Sequence, residues 1–383
     1  MSDRIKSLGV VGLGVMGFDI AFLYASRGYE TRAFDASKAA MDTIDARREQ
    51  TVERLQKRQR LSAAEADNVR KLLLPATELA ALAHTDLITE AVSEKASTKL
   101  AVYKSLRDAG FNGLLTTNTS SVTRATLTKN GVVNPANFAL THFFNPVLYT
   151  QMVEVVTGDM GADNRAAILS FLKSLDRDPV ATQDISGFVS NGILMVYAVM
   201  ACRLLECGAK IEQVDQAAKE LKLLPPFVSF DSWKPSIVED VTRIMRELRG
   251  DEFLRSSKLL ARLAESNPRF YSGPNPNPKI YELTGAGNRS VTDAEVKLAL
   301  QTSMLVAAAR VAELGEAQPV VDRVGTEGIK MPQPPLRDID SMGIVTLLDN
   351  LAEANRLLGV APLPAPVSLV EMARTRVKFY SQS

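Results

Sequence analysis

Ser7-Leu8-Gly9-Val10-Val11 is an apolar run that leads without a break into Gly12-Leu13-Gly14-Val15-Met16-Gly17. A short, continuously apolar stretch bounded by glycine is what a parallel strand buried on both faces requires. Three glycines at this spacing leave few continuations. Gly12 makes a tight turn, Gly14 leaves the backbone open to a close ligand, and Gly17 lets the next helix, expected to about Ser26, lie against the strand. The amides and positive dipole of that helix N-terminus suit a pyrophosphate. A second strand, 30–34, ends at Asp35, 18 residues after Gly17. A carboxylate there accepts both hydroxyls of an adenosine ribose and repels a 2′-phosphate, so NAD is expected rather than NADP. Arg32, three residues before the strand tip, is expected to face elsewhere. The candidate cofactor contacts are therefore Gly12, Leu13, Gly14, Val15, Met16, Gly17 and Asp35; the competing reading is a glycine-rich structural turn.

Further strands are expected over 86–92, 113–117 and 138–141, with helices between them, as alternating β and α units demand. Glu90 and Asn118, at the ends of two of these strands, fall on the cofactor edge of such a sheet. Between them and the first two strands, 38–73 reads as a polar helical pair. Met41, Ile44, Val52 and Leu55 give it a thin apolar stripe, and Arg47, Arg48, Arg54, Lys57, Arg58 and Arg60 a basic far side. That side is either a solvated helix face or, through Arg54, Lys57 and Arg58, a site for the phosphates of a bulky acyl carrier such as coenzyme A.

Bulk properties exclude more than they assign. A chain of 383 residues is too long for one small core, so two or three domains are expected. A net charge of +1 argues against nucleic-acid or membrane-surface binding driven by overall charge. Cys202 and Cys207 match no zinc or redox spacing and read as buried packing; no metal site is expected. No apolar run approaches the roughly 18 residues of a membrane span. The N-terminus lacks a signal-peptide layout and Ser381-Gln382-Ser383 is not a peroxisomal tripeptide, so a cytoplasmic protein is expected.

Chemistry concentrates in Thr141-His142-Phe143-Phe144-Asn145-Pro146, followed by a short strand, Met152-Val153-Glu154-Val155-Val156. A histidine and a carboxylate meeting across adjacent strand ends form a general base and its orienting partner, the pairing needed to take a proton from an alcohol. Taken alone, His142 reads sooner as a satisfied core histidine. The surrounding order decides it: the glycine fingerprint, Glu90-Ala91-Val92, Asn118-Thr119-Ser120-Ser121, the His142 segment, the Glu154 strand and Gly187-Phe188-Val189-Ser190-Asn191. In these six motifs the chain resembles the L-3-hydroxyacyl-CoA dehydrogenase family along essentially its whole length.

The resemblance implies an α/β Rossmann-type N-terminal domain followed by an all-α C-terminal region, with NAD as cofactor, an acyl-CoA substrate and a place in fatty acid metabolism. It implies that His142 takes the proton of the substrate 3-hydroxyl while hydride leaves for the nicotinamide, with Glu154 holding the imidazole. Ser120 and Asn191 would bond the reacting oxygen or the thioester carbonyl; for Ser120 a helix cap is the competing role. Asn118 would lie near the nicotinamide, with Glu90, Lys95 and Asn145 also on the cofactor side, Asn145 supporting the loop around His142.

The second half reads as helical from Gly187, opening with an apolar helix over 188–207. Arg203, Gly208, Val214 and Asp215 recur 107 residues later as Arg310, Gly315, Val321 and Asp322. Pro225, Pro226 and Asp231 recur 109 residues later as Pro334, Pro335 and Asp340. Two tandem helical modules are the simple reading, as in the α chains of multifunctional β-oxidation enzymes. The expected domains are 1–186, 187–285 and 286–383, with the proline-rich 272–278 as the connection. A second copy covering the surface where single-module relatives dimerise would make an intramolecular pseudo-dimer, so either a monomer or a homodimer is expected.

Two departures from the family pattern bear on the substrate. Asn191-Gly192 stands where an Asn-Arg pair is usual, and Leu223-Leu224-Pro225-Pro226-Phe227 replaces a glycine-proline segment near the acyl end. Trp233, just beyond, is expected to pack in the core, or to wall the acyl pocket. The same chemistry on a carrier-bound acyl group or a free hydroxy acid is the alternative, and a non-catalytic NAD-binding protein is the alternative of another class. Hydroxyacid dehydrogenases that rely on a lysine in the helical half fit less well, given the histidine–glutamate pair.

Overall fold

A computed structural model describes residues 4–250, 252–255, 257–284, 290–359 and 362–380. The chain divides into two compact units, residues 1–184 and 185–383. The domain boundary expected at 285/286 lies outside the described residues.

The first unit is built on the apolar runs of the sequence. β1 (Ser7–Val11), α1 (Val15–Ser26) and β2 (Glu30–Phe34) form the opening βαβ element. The arm follows as three helices rather than a pair: α2 (Lys38–Asp42), α3 (Ile44–Lys57) and α4 (Ala63–Leu72). α4 starts with Ser62 and Glu65 capping each other's backbone. β3 (Leu73–Pro75), β4 (Leu87–Glu90), α5 (Ala96–Asp108), β5 (Leu114–Thr117), α6 (Arg124–Thr128) and β6 (Phe138–Phe143) continue the alternation. β7 (Met152–Val156), α7 (Ala162–Ser174) and β8 (Asp178–Ala181) complete it.

The eight strands form one sheet in the order β3-β2-β1-β4-β5-β6-β7-β8. Neighbours from β3 to β6 are parallel, whereas β7 runs antiparallel to β6 and β8 parallel to β7. The reversal sets His142 directly opposite Glu154. Arm residues Ile44, Val52 and Leu55 join the core with Leu8, Val10, Phe18 and Phe22, and Met41 packs against it half-buried.

The second unit is helical. α8 (Ser190–Glu206) is entered through Gly187 and Phe188, both at positive φ, so the helix begins two residues later than its apolar run. α9 (Ile211–Glu220), α10 (Pro226–Trp233), α11 (Pro235–Arg249) and α12 (Lys258–Ser266) follow. The expected connection at 272–278 is a hairpin, β9 (Tyr271–Ser272) with β10 (Asn275–Pro276), leading into α13 (Pro278–Thr284). Then come α14 (Asp293–Glu313), α15 (Gln318–Arg323), α16 (Pro335–Met342), α17 (Ile344–Leu358) and α18 (Val367–Thr375).

The sequence repeat is also a repeat of hydrogen bonds. Asp215 accepts from the Phe227 amide at 2.9 Å and the Tyr271 hydroxyl at 2.7 Å. Asp322 accepts from the Leu336 amide and the Tyr380 hydroxyl, both at 2.7 Å. Asp231 receives the amides of Phe270 and Tyr271, as Asp340 receives those of Phe379 and Tyr380. A buried aspartate taking backbone amides from a later helix or turn fixes a loop without side-chain bulk, and two tandem modules use the same device. They pack along α8 and α14. Gly192 makes that approach possible, because a Cβ there would lie 2.6 Å from Val311 Cγ2.

Two packing expectations need correction. Trp233 is half-buried against Phe230, with ring centroids 6.5 Å apart, because it ends its helix rather than facing inward. Cys202 is buried, but Cys207 is half-buried at the helix end, its thiol directed at the Leu358 carbonyl at 3.7 Å.

Candidate active site

The glycine turn is tight where the fold needs it and open where a phosphate would come. Gly12 has φ +91°, and a Cβ on it would meet the Ala91 and Val92 backbone at 2.8 Å. A Cβ on Gly17 would lie 1.8 Å from the Gly12 carbonyl oxygen. At Gly14, the residue before α1, nothing lies within 4 Å of that position. These residues fit a dinucleotide, with Gly14, the exposed Val15 and the half-buried Met16 opening the helix.

Asp35 closes the turn from β2. Its Oδ2 accepts the Leu13 amide at 2.6 Å and its Oδ1 the Ser37 amide at 2.7 Å, leaving lone pairs on both oxygens. Arg32 is exposed and paired with Glu30, away from this point. Leu13 is a poor cofactor contact. Its side chain is buried, its amide bonds Asp35, and its carbonyl accepts from Arg47 at 2.6 Å.

Arg47 itself departs from the expected basic outer face. Its guanidinium also donates to the Gly14 carbonyl at 3.1 Å and lies 4.0 Å from the centre of the Phe18 ring. A long side chain one turn into α3 reaches back to the glycine turn because two carbonyls and an aromatic face satisfy it there. Arg48 pairs with Asp45 and Glu49. Arg54, Lys57 and Arg58 remain exposed, Arg58 donating to the Tyr149 hydroxyl at 3.2 Å.

His142 and Glu154 lie on the β6–β7 junction, with Nδ1 2.9 Å from Oε2. His142 is 7% exposed and Glu154 0%. A carboxylate on Nδ1 favours the tautomer with the proton there, which leaves Nε2 as the basic nitrogen. Phe144 packs beside the imidazole, ring centroids 5.4 Å apart. Asn145 is exposed just past the strand end, and Asn118 Oδ1 accepts the Phe143 amide at 3.1 Å, tying the end of β5 to the His142 strand.

Ser120 is half-buried in the loop after β5 and is not a helix cap; Thr123 caps α6. Lys95 is exposed at the start of α5. Asn191 is half-buried on the first turn of α8, in the second unit. Glu90 does not offer its carboxylate to a cofactor. It is 0% exposed and accepts from Lys99 Nζ at 3.0 Å and from the Tyr103 and Thr117 hydroxyls at 2.6 Å each. The sequence reading overlooked Lys99 and Glu94. The signal available was a lysine on the expected helix after Glu90, at a spacing that returns it to the strand ends.

Among the described residues no cluster of three His, Cys, Asp or Glu could hold a metal ion, and no helix is long and apolar enough to cross a membrane.

The fold and site define an NAD-binding dehydrogenase architecture, an eight-stranded dinucleotide sheet carrying a buried histidine–glutamate pair and followed by helical modules. Residues 7–185 match the NAD binding domain of 3-hydroxyacyl-CoA dehydrogenase, and residues 187–269 its C-terminal domain. The chain belongs to the 3-hydroxyacyl-CoA dehydrogenase family.

Among relatives, it is 33% identical over 224 residues to 3-hydroxyadipyl-CoA dehydrogenase of Escherichia coli, covering 57% of this chain and 46% of that one. It is 31% identical to the probable 3-hydroxyacyl-CoA dehydrogenase F54C8.1 of Caenorhabditis elegans, covering 57% of this chain and 75% of the relative. A fatty acid oxidation complex subunit alpha of Shewanella frigidimarina aligns along 99% of the chain at 26% identity, and the chain spans 56% of it. The chain thus spans about half the length of the first and third of these relatives. In fold it is similar to the crystal structure of 3-hydroxybutyryl-CoA dehydrogenase from E. coli, with a TM-score of 0.77, 21% identity, and 97% of this chain and 98% of that one covered.

Proposed function

We propose that this chain interconverts an L-3-hydroxyacyl thioester, with coenzyme A as its carrier, and the 3-oxoacyl thioester. The observation that carries the reading is the buried His142–Glu154 pair, 2.9 Å apart, in the same unit as the NAD-binding glycine turn. NAD, held along Gly12, Gly14, Gly17 and Asp35, supplies the hydride acceptor. His142 Nε2 takes the 3-hydroxyl proton, and Glu154 stabilises the imidazolium that forms. Ser120 donates to the thioester carbonyl or the reacting oxygen, while Asn118, Lys95 and Asn145 line the cofactor side. The exposed Arg54, Lys57 and Arg58 suit the phosphates of coenzyme A. The two modules packed along α8 and α14 support a monomer that carries its own pseudo-dimer. We place the protein in the cytoplasm.

The test is NADH consumption with acetoacetyl-CoA, set against NADPH and against free acetoacetate. Turnover with NADH and the thioester alone is expected. Equal turnover of free acetoacetate would overturn the coenzyme A assignment, and no turnover by a protein that still binds NADH would overturn the activity. Charge reversal of Arg54, Lys57 and Arg58 together should raise KM for the thioester and leave NADH affinity unchanged.

A further inference from the structure

Tyr149 stands on the loop between β6 and β7, seven residues after His142, and the tip of the basic arm closes on it from two sides. Arg58 donates to its hydroxyl at 3.2 Å, and the Arg60 guanidinium lies 4.9 Å from the centre of its ring. Backbone geometry fixes both arginines at the end of α3. Gln59 between them has φ +54°, its amide bonds the Gln56 carbonyl at 2.9 Å, and the Arg60 amide bonds the Leu55 carbonyl at 2.9 Å. This is the pairing that closes a helix with one left-handed residue, and it turns the side chains on either side of Gln59 toward one ring. The loop is equally fixed. The Tyr149 amide bonds the Pro146 carbonyl at 3.0 Å, the Thr150 hydroxyl donates to the Phe144 carbonyl at 2.8 Å, and Arg177 donates to the Thr150 carbonyl at 2.6 Å. Tyr149 itself packs half-buried against the core of the sheet.

Neither arginine is neutralised: among the described residues no carboxylate pairs with Arg58 or Arg60, whereas Arg48 and Arg70 share Glu49. Both remain exposed, and the tyrosine leaves their donors available. A single bond to the hydroxyl occupies one N–H of Arg58, and an aromatic ring satisfies the face of Arg60 without using its edge. Two planar cations held in this way suit a phosphorylated group. We propose that Tyr149 is a positioning residue for the carrier, holding Arg58 and Arg60 together as one preformed site for the phosphates of coenzyme A. The proposal rests on the coenzyme A reading of the arm above and adds Tyr149 and Arg60 to it. A free arginine must be ordered before it can bind a phosphate; the ring and hydroxyl of Tyr149 order both in advance.

The experiment compares acetoacetyl-CoA with acetoacetyl-N-acetylcysteamine, a thioester that carries no phosphate, in the full-length protein and its variants. Tyr149→Ala is expected to raise KM for acetoacetyl-CoA by about 5–30-fold, the scale of two side chains that must now be ordered on binding. Its kcat/KM for the truncated thioester should stay within about twofold of the parent, and NADH affinity within about threefold. Tyr149→Phe keeps the ring beneath Arg60 and loses the bond from Arg58, so a smaller rise of about 2–5-fold is expected. It carries the test alone if the alanine variant does not fold. An equal loss on both thioesters would assign Tyr149 to the loop of His142 and overturn the proposal. An unchanged KM in both variants, in a protein where charge reversal of Arg54, Lys57 and Arg58 does raise it, would overturn the role of Tyr149 alone. Charge reversal without effect would overturn the coenzyme A reading of the arm and the proposal with it.

Discussion

His142 and Glu154 face each other in register across the antiparallel β6–β7 junction, joined Nδ1 to Oε2 at 2.9 Å. Twelve residues separate them along the chain, and the reversal of strand direction brings them together. Glu154 is fully buried, and inside a protein a hydrogen bond to a carboxylate is stronger than in water. His142→Gln is therefore expected to lower kcat by about 10³-fold or more, and Glu154→Gln by about 10²–10³-fold, the range of general-base catalysis. NADH titration should show both variants binding cofactor within about threefold of the parent; parallel loss of binding would point to a folding defect instead.

Arg47 ties the arm to the glycine turn through the carbonyls of Leu13 and Gly14. It also adds a fixed positive charge where the cofactor phosphates are expected. Arg47→Met removes both bonds and the charge, and should weaken NADH binding by about 5–20-fold. The loss should shrink on replacing NADH with adenosine, which carries no phosphate. An unchanged NADH affinity would mean the guanidinium serves only to pack the arm.

Gly192 lies where α8 meets α14, and a Cβ there would come within 2.6 Å of Val311 Cγ2. Gly192→Ala gains about 1 kcal/mol in helix propensity, against about 1–3 kcal/mol for overpacking. A net loss of stability is expected in chemical denaturation, partly restored by Val311→Ala in the same chain. A more stable Gly192→Ala would refute the close approach.

Burial on α1 pushes the Asp19 carboxyl up to about 6, with Arg54 and Arg47 pulling against it. A folded pKa above the ordinary value of 3.8 means the native state binds this proton more tightly than the unfolded chain. Its contribution is thus complete below about pH 4 and is lost as pH rises through about 6. Asp19→Asn should remove that decline and be more stable than the parent at neutral pH by about 1–2 kcal/mol, after allowance for partial exposure. Denaturation at several pH values between 4 and 7 would show it; parallel curves for the two proteins would sink the assignment.

The site was legible where chemistry and spacing coincide in the chain. Gly12, Gly14, Gly17 and Asp35 occupy the turn that their order implies, and His142 meets Glu154 as their strands implied. Glu90, Arg47 and Trp233 were misread, each for a similar reason. Sequence shows that a charged or bulky side chain stands at a strand end or on a helix, but not which way it turns. β3 and β8 escaped notice because short edge strands depend on the neighbour they pair with rather than on periodicity of their own.

By itself, then, the sequence determined the alternation of strands and helices, the cofactor turn, the histidine with its carboxylate and the tandem helical repeat. All of these follow from local patterns of apolar residues, glycines and repeated aspartates. Tertiary structure alone decided that Lys99 would be buried among Glu90, Thr117 and Asn118, that Glu94 would collect the Ser120 loop, and that Arg47 would leave the basic face for the glycine turn. Those outcomes depend on which donors lie within about 3 Å of a buried charge once the sheet is assembled. A buried charge must find partners wherever the fold offers them, because leaving it unpaired costs several kcal/mol.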